Sequence, residues 1–394
     1  MAQYEDFYEK VVAEEARERA EDESRERQEG RGSMDMPFLL LTLLLLGIGL
    51  IMVLSASFAR AYFETGDPTR IFVRQALFSV AGVSIMLLLS RFSIDFIRRM
   101  SLPILLGSLL LLAAVPVIGT ESGGAKRWID LGFTTFQPSE IVKLAIILSF
   151  AALACNYKGK MKTFKYGVLP FAAILGLTVF LLMLEPHISA AIIIIAIGAV
   201  MMFLGGTKLQ WFALGGIIVA AAGFVVLTKF DYAVARITIW RDPFSDPQGD
   251  GFQIIQSLYA IGSGGLLGVG LGQSRQKYLY LPEEHNDYIF SIVCEELGYI
   301  GAMLILILFA MLIIRGYWIA MHAKDRYSTM ITAGITSLLF LQVFLNVAVV
   351  TNLIPCTGIS LPLFSYGGTA LLIQLAELGI ILSVSRDIRI KKAG

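Results

Sequence analysis

From residue 36 onward the chain alternates long apolar runs with short polar or basic connectors. Apolar stretches of about 20 residues, enough to cross a hydrocarbon core of about 30 Å, recur near 37–58, 71–90, 101–118, 138–156, 166–184, 187–205, 209–228, 287–315, 328–351 and 363–385. The pattern predicts an all-α polytopic membrane protein with about ten transmembrane helices. One long connection, 229–286, separates the seventh from the eighth. The turn EPHIS (185–189) either ends a span or sits inside a longer hairpin. No internal repeat of the kind that builds two-sided transporters is present.

Composition agrees with the pattern. The chain is 56% hydrophobic and 16% charged with a mean hydropathy of +0.71, well below the roughly 25% charge of a soluble domain. Its net charge of +1 hides an asymmetry: residues 1–35 hold twelve acids against six bases, which leaves the remainder at +7. The segment EEARERAEDESRERQE (14–29) has no apolar face, so residues 1–35 read as an acidic, disordered tail ahead of a transmembrane domain at 36–394. A docking helix for a partner is the other reading. An acidic preface is also not the basic start of a cleaved signal, so the first apolar run stays as a helix.

Basic residues bunch in the connectors after the even-numbered spans: Arg91, Arg98 and Arg99, then Lys158 to Lys165, Lys208, Arg315 with Lys324 and Arg326, and finally Arg386 to Lys392. The positive-inside rule places these connectors and both termini in the cytoplasm. The unusual polar chemistry then falls on the outer side, in 119–143, 185–189, 229–286 and 351–369.

Each of those stretches has a chemical reading and a plainer one. In FQPSEIVKL, Pro138 suits a first helical position and Glu140 the positive end of the dipole. Lys143 follows at i+3, so the pair is either an orienting salt bridge or a polar ligand contact. AKRWID sets Lys126 and Arg127 beside Trp128, which fits phosphate plus sugar or lipid, or an interfacial anchor. His187 is a turn residue or a site residue. In LPEEHNDYIFSIVCEELG, a helix starting near Asn286 puts Asp287 in its first turn, on one stripe with Ser291, Cys294 and Glu295 and with Glu296 pointing the opposite way. Asp287 is then either a capping acid or a base.

Other chemistries are excluded. Three cysteines and three histidines, with no HExxH and no paired CxxC, argue against a zinc enzyme or a disulfide scaffold. The glycines at 265–272 follow no strand and precede no Lys-Ser/Thr, so they serve tight turns and close packing rather than a nucleotide. No nucleic-acid partner is expected.

Taken in order, SAS (55–57), GGAKRWIDLG (123–132), FQPSEIVKL (136–144), the EP of EPHIS, GDGFQIIQSLYAIGSGGLLGVGLG (249–272), LPEEHNDYIFSIVCEELG (281–298) and TGISLPLFSYGGT (357–369) resemble the SEDS family of shape, elongation, division and sporulation proteins, which includes FtsW, RodA and SpoVE. The resemblance implies a peptidoglycan glycosyltransferase of the cytoplasmic membrane that polymerises lipid II on its outer face together with a class B penicillin-binding protein, a transpeptidase. The machinery it would serve is that of division, sporulation or elongation. The family's essential aspartate corresponds to Asp287, its RW tryptophan to Trp128, and its Glu/Lys pair to Glu140 and Lys143. Many members carry Asp-Leu-Gly after the EP where this chain has His187-Ile188-Ser189, a variant closer to the FtsW/SpoVE branch than to RodA.

On this reading Asp287 is the general base, and Lys126, Arg127, Arg236 and Arg241 are candidates to hold the leaving diphosphate, with a divalent cation, Mg or Mn, as an expected cofactor of unassigned ligands. A lipid II flippase and a non-enzymatic scaffold of the cell-wall machinery are the competing classes.

Overall fold

The computed structural model describes residues 32–388 apart from 123, 124, 133, 230 and 250. The acidic-tail reading for residues 1–31 and the last basic residues, Arg389, Lys391 and Lys392, lie outside the described residues.

The elements run α1 (Met36–Thr65), α2 (Arg70–Leu89), α3 (Ile94–Ile118), β1 (Thr120–Ser122), β2 (Ala125–Asp130), β3 (Thr135–Phe136), α4 (Pro138–Asn156), α5 (Phe164–Gly167), α6 (Leu169–Leu184), α7 (Ile188–Gly205), α8 (Leu209–Lys229), α9 (Asp231–Arg241), α10 (Phe252–Gly264), α11 (Ile289–Met321), α12 (Arg326–Val350) and α13 (Gly368–Ser385). Among the described residues eight helical segments are long and apolar enough to cross a membrane, and two shorter apolar helices, Ile188–Leu204 and Leu209–Ile218, fall where the sixth and seventh spans are expected. This is a multi-pass membrane protein. The 229–286 connection is not a bare loop: it contains α9, α10 and a short 3₁₀ turn, Pro243–Ser245.

Local chemistry explains the helix starts. Asp35 accepts from the amide of Phe38 at 2.9 Å ahead of α1, and Asp325 accepts from Tyr327 and Ser328 ahead of α12 at 2.8 and 3.1 Å, each satisfying amides that a helix leaves unpaired. Pro138 opens α4 as expected. The centre of the bundle is α4, α12 and α13, buried on most of their surface, whereas α2 and α6 expose apolar faces such as Leu77, Val80, Leu177 and Phe180.

Long-range contacts sort the connectors to two ends. At one, Arg315 forks onto Asp35 (2.6–3.1 Å), Asp35 N meets Ser385 Oγ, Arg326 donates to Gly205 O and Arg98 to Asn156. At the other lie the three-stranded sheet β1-β2-β3, the 185–189 turn, the 351–367 connection and the start of α11.

The start of α11 corrects the sequence reading. The helix begins at Ile289, so Asp287 precedes it rather than sitting in its first turn, and its N-cap, Tyr288, makes no capping side-chain bond. Glu296 does not point the opposite way from Glu295: both carboxylates meet Ser274. Both are buried and both grip the 274–277 segment: Glu295 accepts from Ser274 Oγ and the amide of Arg275 (2.9 Å), and Glu296 from Ser55 Oγ (2.7 Å) and Lys277 Nζ (3.0 Å).

The acids at this helix mouth therefore fasten a loop. That loop also enters the helix's own hydrogen-bond ladder. Gly298 breaks the helix at φ 68°; the carbonyls of Glu295 and Glu296 accept from Val269 and Gly270 at 3.0 and 3.1 Å, while the amides of Tyr299 and Ile300 donate to Gly265 and Leu266 at 2.9 and 3.1 Å. These four bonds replace ones that the interrupted helix gives up, as a break in a membrane helix requires. A Cβ at position 298 would lie 2.2 Å from the amide nitrogen of Gly268, so only glycine permits both the dihedral and the approach.

Candidate active site

Asp287 is partly buried at the sheet-bearing end of the bundle. Its backbone carbonyl accepts from Asn346 Nδ2 at 2.7 Å, and the same amide holds the carbonyl of Ile359, also at 2.7 Å. One asparagine thus ties the approach to α11 to the 351–367 connection. The connection passes so closely that a Cβ on Gly358, whose φ is +62°, would lie 3.1 Å from Asp287 Oδ2. Burial, reinforced by the nearby Glu283 carboxylate, pushes the Asp287 carboxyl up to about 6, against the opposing pull of His285 and Arg127. A carboxylate with a pKa in that range is ionised at neutral pH yet basic enough to accept a proton from an attacking hydroxyl.

Arg127 belongs to β2, which pairs with β1 and β3. It reaches the 185–189 turn, donating from Nη2 to Pro186 O at 2.8 Å and from Nε to Glu185 O at 3.4 Å. Its charge is felt by Asp287, Glu185 and His187, so three stretches distant in sequence share one electrostatic field. His187 is buried, and burial first, then Arg127 and Lys143, holds its imidazole down at about 3, neutral at any physiological pH. Its Nε2 lies 3.4 Å from Gln137 Nε2 at the start of α4. Glu185 is fully buried with neither carboxylate oxygen hydrogen-bonded in the described structure, and burial pushes it up to about 8.

The remaining candidates divide. Lys143 Nζ pairs with Glu140 Oε2 at 2.8 Å inside the bundle, the salt bridge that the i+3 spacing allows. Glu377 of α13 is buried close enough to feel both charges. Arg236 donates to Cys356 O at 2.7 Å, which joins α9 to the 351–367 connection. Lys126 and Arg241 are exposed, and no hydrogen bond or ion pair joins their side chains to another described residue. Trp128 is partly buried in β2, with its carbonyl accepting from Thr120 Oγ1 at 3.2 Å. Sequence reasoning missed Glu185, Gln137 and Asn346. Their signal was faint: single polar residues beside a turn or within a span, which is costly unless paired or facing a cavity.

The pattern of the Cell cycle protein family FtsW/RodA/SpoVE matches residues 36–390. The chain belongs to the FtsW/RodA/SpoVE family. Among its relatives is Stage V sporulation protein E of Bacillus subtilis (strain 168), 42% identical over 339 residues, covering 85% of this chain and 92% of that protein. A probable peptidoglycan glycosyltransferase FtsW of Geobacter sp. (strain M18) is 40% identical over 343 residues, covering 86% and 93%. These two relatives carry the SpoVE and FtsW names, as the His187 variant suggested.

Solved structures agree with the family fold. A chain of a peptidoglycan synthase complex, solved for the structural coordination of polymerization and crosslinking, superposes with a TM-score of 0.74 at 31% identity, covering 90% of this chain and 98% of that one. The rod shape determining protein RodA of Thermus thermophilus gives a TM-score of 0.67 at 27% identity, covering 91% and 98%.

Proposed function

We propose that this FtsW/RodA/SpoVE-family protein is a peptidoglycan glycosyltransferase that polymerises lipid II, with Asp287 as the general base. The observation that carries the reading is the placement of Asp287: its backbone is anchored through Asn346, and its carboxyl, with a raised pKa, lies within the field of Arg127. In the reaction the 4-hydroxyl of lipid II attacks the anomeric carbon of the growing chain. The new O–C bond forms as the C–O bond to the diphosphate breaks, the hydroxyl proton passes to Asp287, and the electron pair leaves with undecaprenyl diphosphate.

Arg127 is the cation best placed for the leaving diphosphate, since the reacting carbon is bonded directly to it. Arg236 shares that end through Cys356. Lys126 and Arg241 are exposed at the periphery, where their role is to attract anionic substrate. Trp128 in β2 offers an aromatic face to sugar or lipid, and the Glu140–Lys143 pair supports the helix beneath. Among the described residues no cluster of three or more acidic, histidine or cysteine side chains gathers to hold a metal.

The class B transpeptidase is the partner this reading requires, supported by the likeness to a chain of a synthase complex. Both termini face the cytoplasm on the positive-inside argument, which sets Asp287 on the outer face. The test is polymerisation of defined lipid II by the purified protein with its transpeptidase. Glycan from the wild-type complex and none from Asp287→Asn is expected. Normal glycan from Asp287→Asn would refute the base, and lipid II translocation without polymerisation would favour a flippase.

A further inference from the structure

A cavity of about 540 Å³ lies beside Asp287 without including it. Arg60 and Glu64, from the end of α1, and Arg70 and Arg74, from the start of α2, line one wall, and Glu283, His285 and Asn286 line the other. The segment 283–287 is thus a partition. Glu283, His285 and Asn286 face the cavity, whereas Asp287 sets its Oδ2 against Gly358.

The charges in the cavity are not equally occupied. Arg60 forks onto the buried Glu284 at 2.7 and 2.8 Å and lies 3.8 Å from Glu64. Glu283 accepts from Asn286 Nδ2 at 2.5 Å. Asp67, which precedes Arg70, is held by Thr69 at 2.8 and 2.9 Å. Each acid near the cavity therefore has a hydrogen-bond or ion-pair partner, although those of Glu283 and Asp67 are uncharged. Arg70 and Arg74, one turn apart and both exposed, have neither a hydrogen bond nor an ion pair to another described side chain. What the cavity leaves without a side-chain partner is a pair of guanidiniums on one helix face. That arrangement suits an anion with several oxygens, and phosphate above all.

The same helices say what kind of phosphate. Tyr62 and Phe63 of α1 and Val73 and Leu77 of α2 are exposed apolar side chains next to the cavity-lining positions. In a membrane these faces meet lipid, so an anion bound by Arg70 and Arg74 has hydrocarbon beside it. A diphosphate on a polyprenyl tail fits both halves of the site; a free diphosphate uses only one.

We infer that this cavity holds the diphosphate of the acceptor lipid II, an assignment that rests on the polymerase reading above. The geometry of the two substrates separates their sites. In the growing chain the anomeric carbon is bonded to its own diphosphate, so that diphosphate must sit at Asp287, in the field of Arg127. In the acceptor the reacting 4-hydroxyl is on the outer sugar, and a whole disaccharide intervenes before its diphosphate. The acceptor's anion must therefore be held apart from Asp287, along the partition rather than against the base. Arg70 and Arg74 occupy that position.

The test uses the full-length protein with its transpeptidase. For Arg70→Gln/Arg74→Gln the KM for lipid II is expected to rise by about tenfold or more, from the loss of charge-assisted contacts, with kcat changed little. Arg70→Lys/Arg74→Lys should restore part of the loss and shows that the gap is charge rather than misfolding. In the Asp287→Asn background, fluorescent lipid II should bind more weakly when the two arginines are replaced. Phosphatidylglycerol vesicles and inorganic pyrophosphate should compete poorly. An unchanged KM and unchanged binding in a folded Gln variant would overturn the acceptor site while leaving the polymerase reading intact. Equal competition by phosphatidylglycerol would make this a bulk-lipid contact and overturn it too. Wild-type complex that binds lipid II but makes no glycan would instead overturn the polymerase reading and, with it, the acceptor role.

Discussion

Arg127 donates to the carbonyls of Glu185 and Pro186 and leaves the Glu185 carboxylate, one side chain away, without a hydrogen bond. A buried, unpaired carboxyl is tolerable only when neutral. Its pKa of about 8, raised by burial, means that the folded state keeps this proton up to pH 8 while the unfolded chain releases it near its ordinary value of 4.5. Between those limits the folded state binds more protons, so this group makes stability fall as pH rises. Glu185→Gln imitates the neutral acid. It should fold normally and flatten the decline in thermal midpoint between pH 5 and pH 8, roughly the window between those two pKa values. A midpoint with the wild-type pH slope would mean that Glu185 is ionised and paired.

The Asp287 carboxyl follows the same sign at lower pH. Its pKa is raised from 3.8 to about 6 by burial and by Glu283, so ionising it costs stability as pH rises through that window. Activity runs the other way, because a base must be deprotonated. The expected outcome is a polymerisation rate that falls below about pH 6, and a loss of about 10²- to 10⁴-fold in Asp287→Asn at neutral pH. The variant's thermal midpoint above pH 6 should equal or exceed that of the wild type. A large drop in that midpoint would instead mark Asp287 as a structural acid.

Lys143 pairs with Glu140 and lies near Glu377, so one cation stands beside two buried carboxyl groups. Lys143→Ala leaves Glu140 unanswered and takes the nearby charge from Glu377, and breaking a buried pair in this way costs about 3–5 kcal/mol. Glu140→Gln should be milder, since Lys143 keeps Glu377 nearby. Equal thermal midpoints for the two variants would show that Glu377 takes no part.

Gly298→Ala should be among the most damaging single-methyl changes in the chain. The residue sits at φ 68° and its new Cβ would meet the amide nitrogen of Gly268 at 2.2 Å, forcing apart the four exchanged backbone bonds. Reduced yield of monodisperse protein, with faster hydrogen exchange at 265–270 and 299–300, is the readout. Wild-type exchange there would show that the interruption is not held by this packing.

Membrane orientation is tested by a cysteine-free protein with single cysteines restored. Position 160, in the basic connector before α5, should be labelled only after the cells are opened, and position 280 should be labelled from outside. The reverse pattern would put Asp287 on the wrong side for lipid-linked substrate.

The runs of apolar residues settle membrane spans because the bilayer itself reads them: a helix of the right length satisfies its own backbone bonds, and no distant residue is consulted. Hence α1 to α4, α6 and α11 to α13 appear close to where hydropathy puts them, and the acid of NDYIF and the Glu140–Lys143 pair were visible as charges in costly places. The start of α11 was misjudged because the turns before it, not residue preference, decide where the chain first closes a helical bond.

Everything that makes those residues a site was decided by pairings across the chain. Ser55 and Glu296 are 241 positions apart and meet at 2.7 Å; Arg60 finds Glu284 across 224 and Asn346 finds Asp287 across 59. Periodicity reports only what lies within a turn or two, so it saw five acids at the mouth of α11 without a way to tell a base from a buckle. The sequence by itself determined that the chain crosses the bilayer many times and which charges must be accounted for there. Only the tertiary structure decided which partner answers each charge. In a low-dielectric interior that choice governs whether a carboxyl such as Asp287 is left able to take a proton or, like Glu296, is already satisfied.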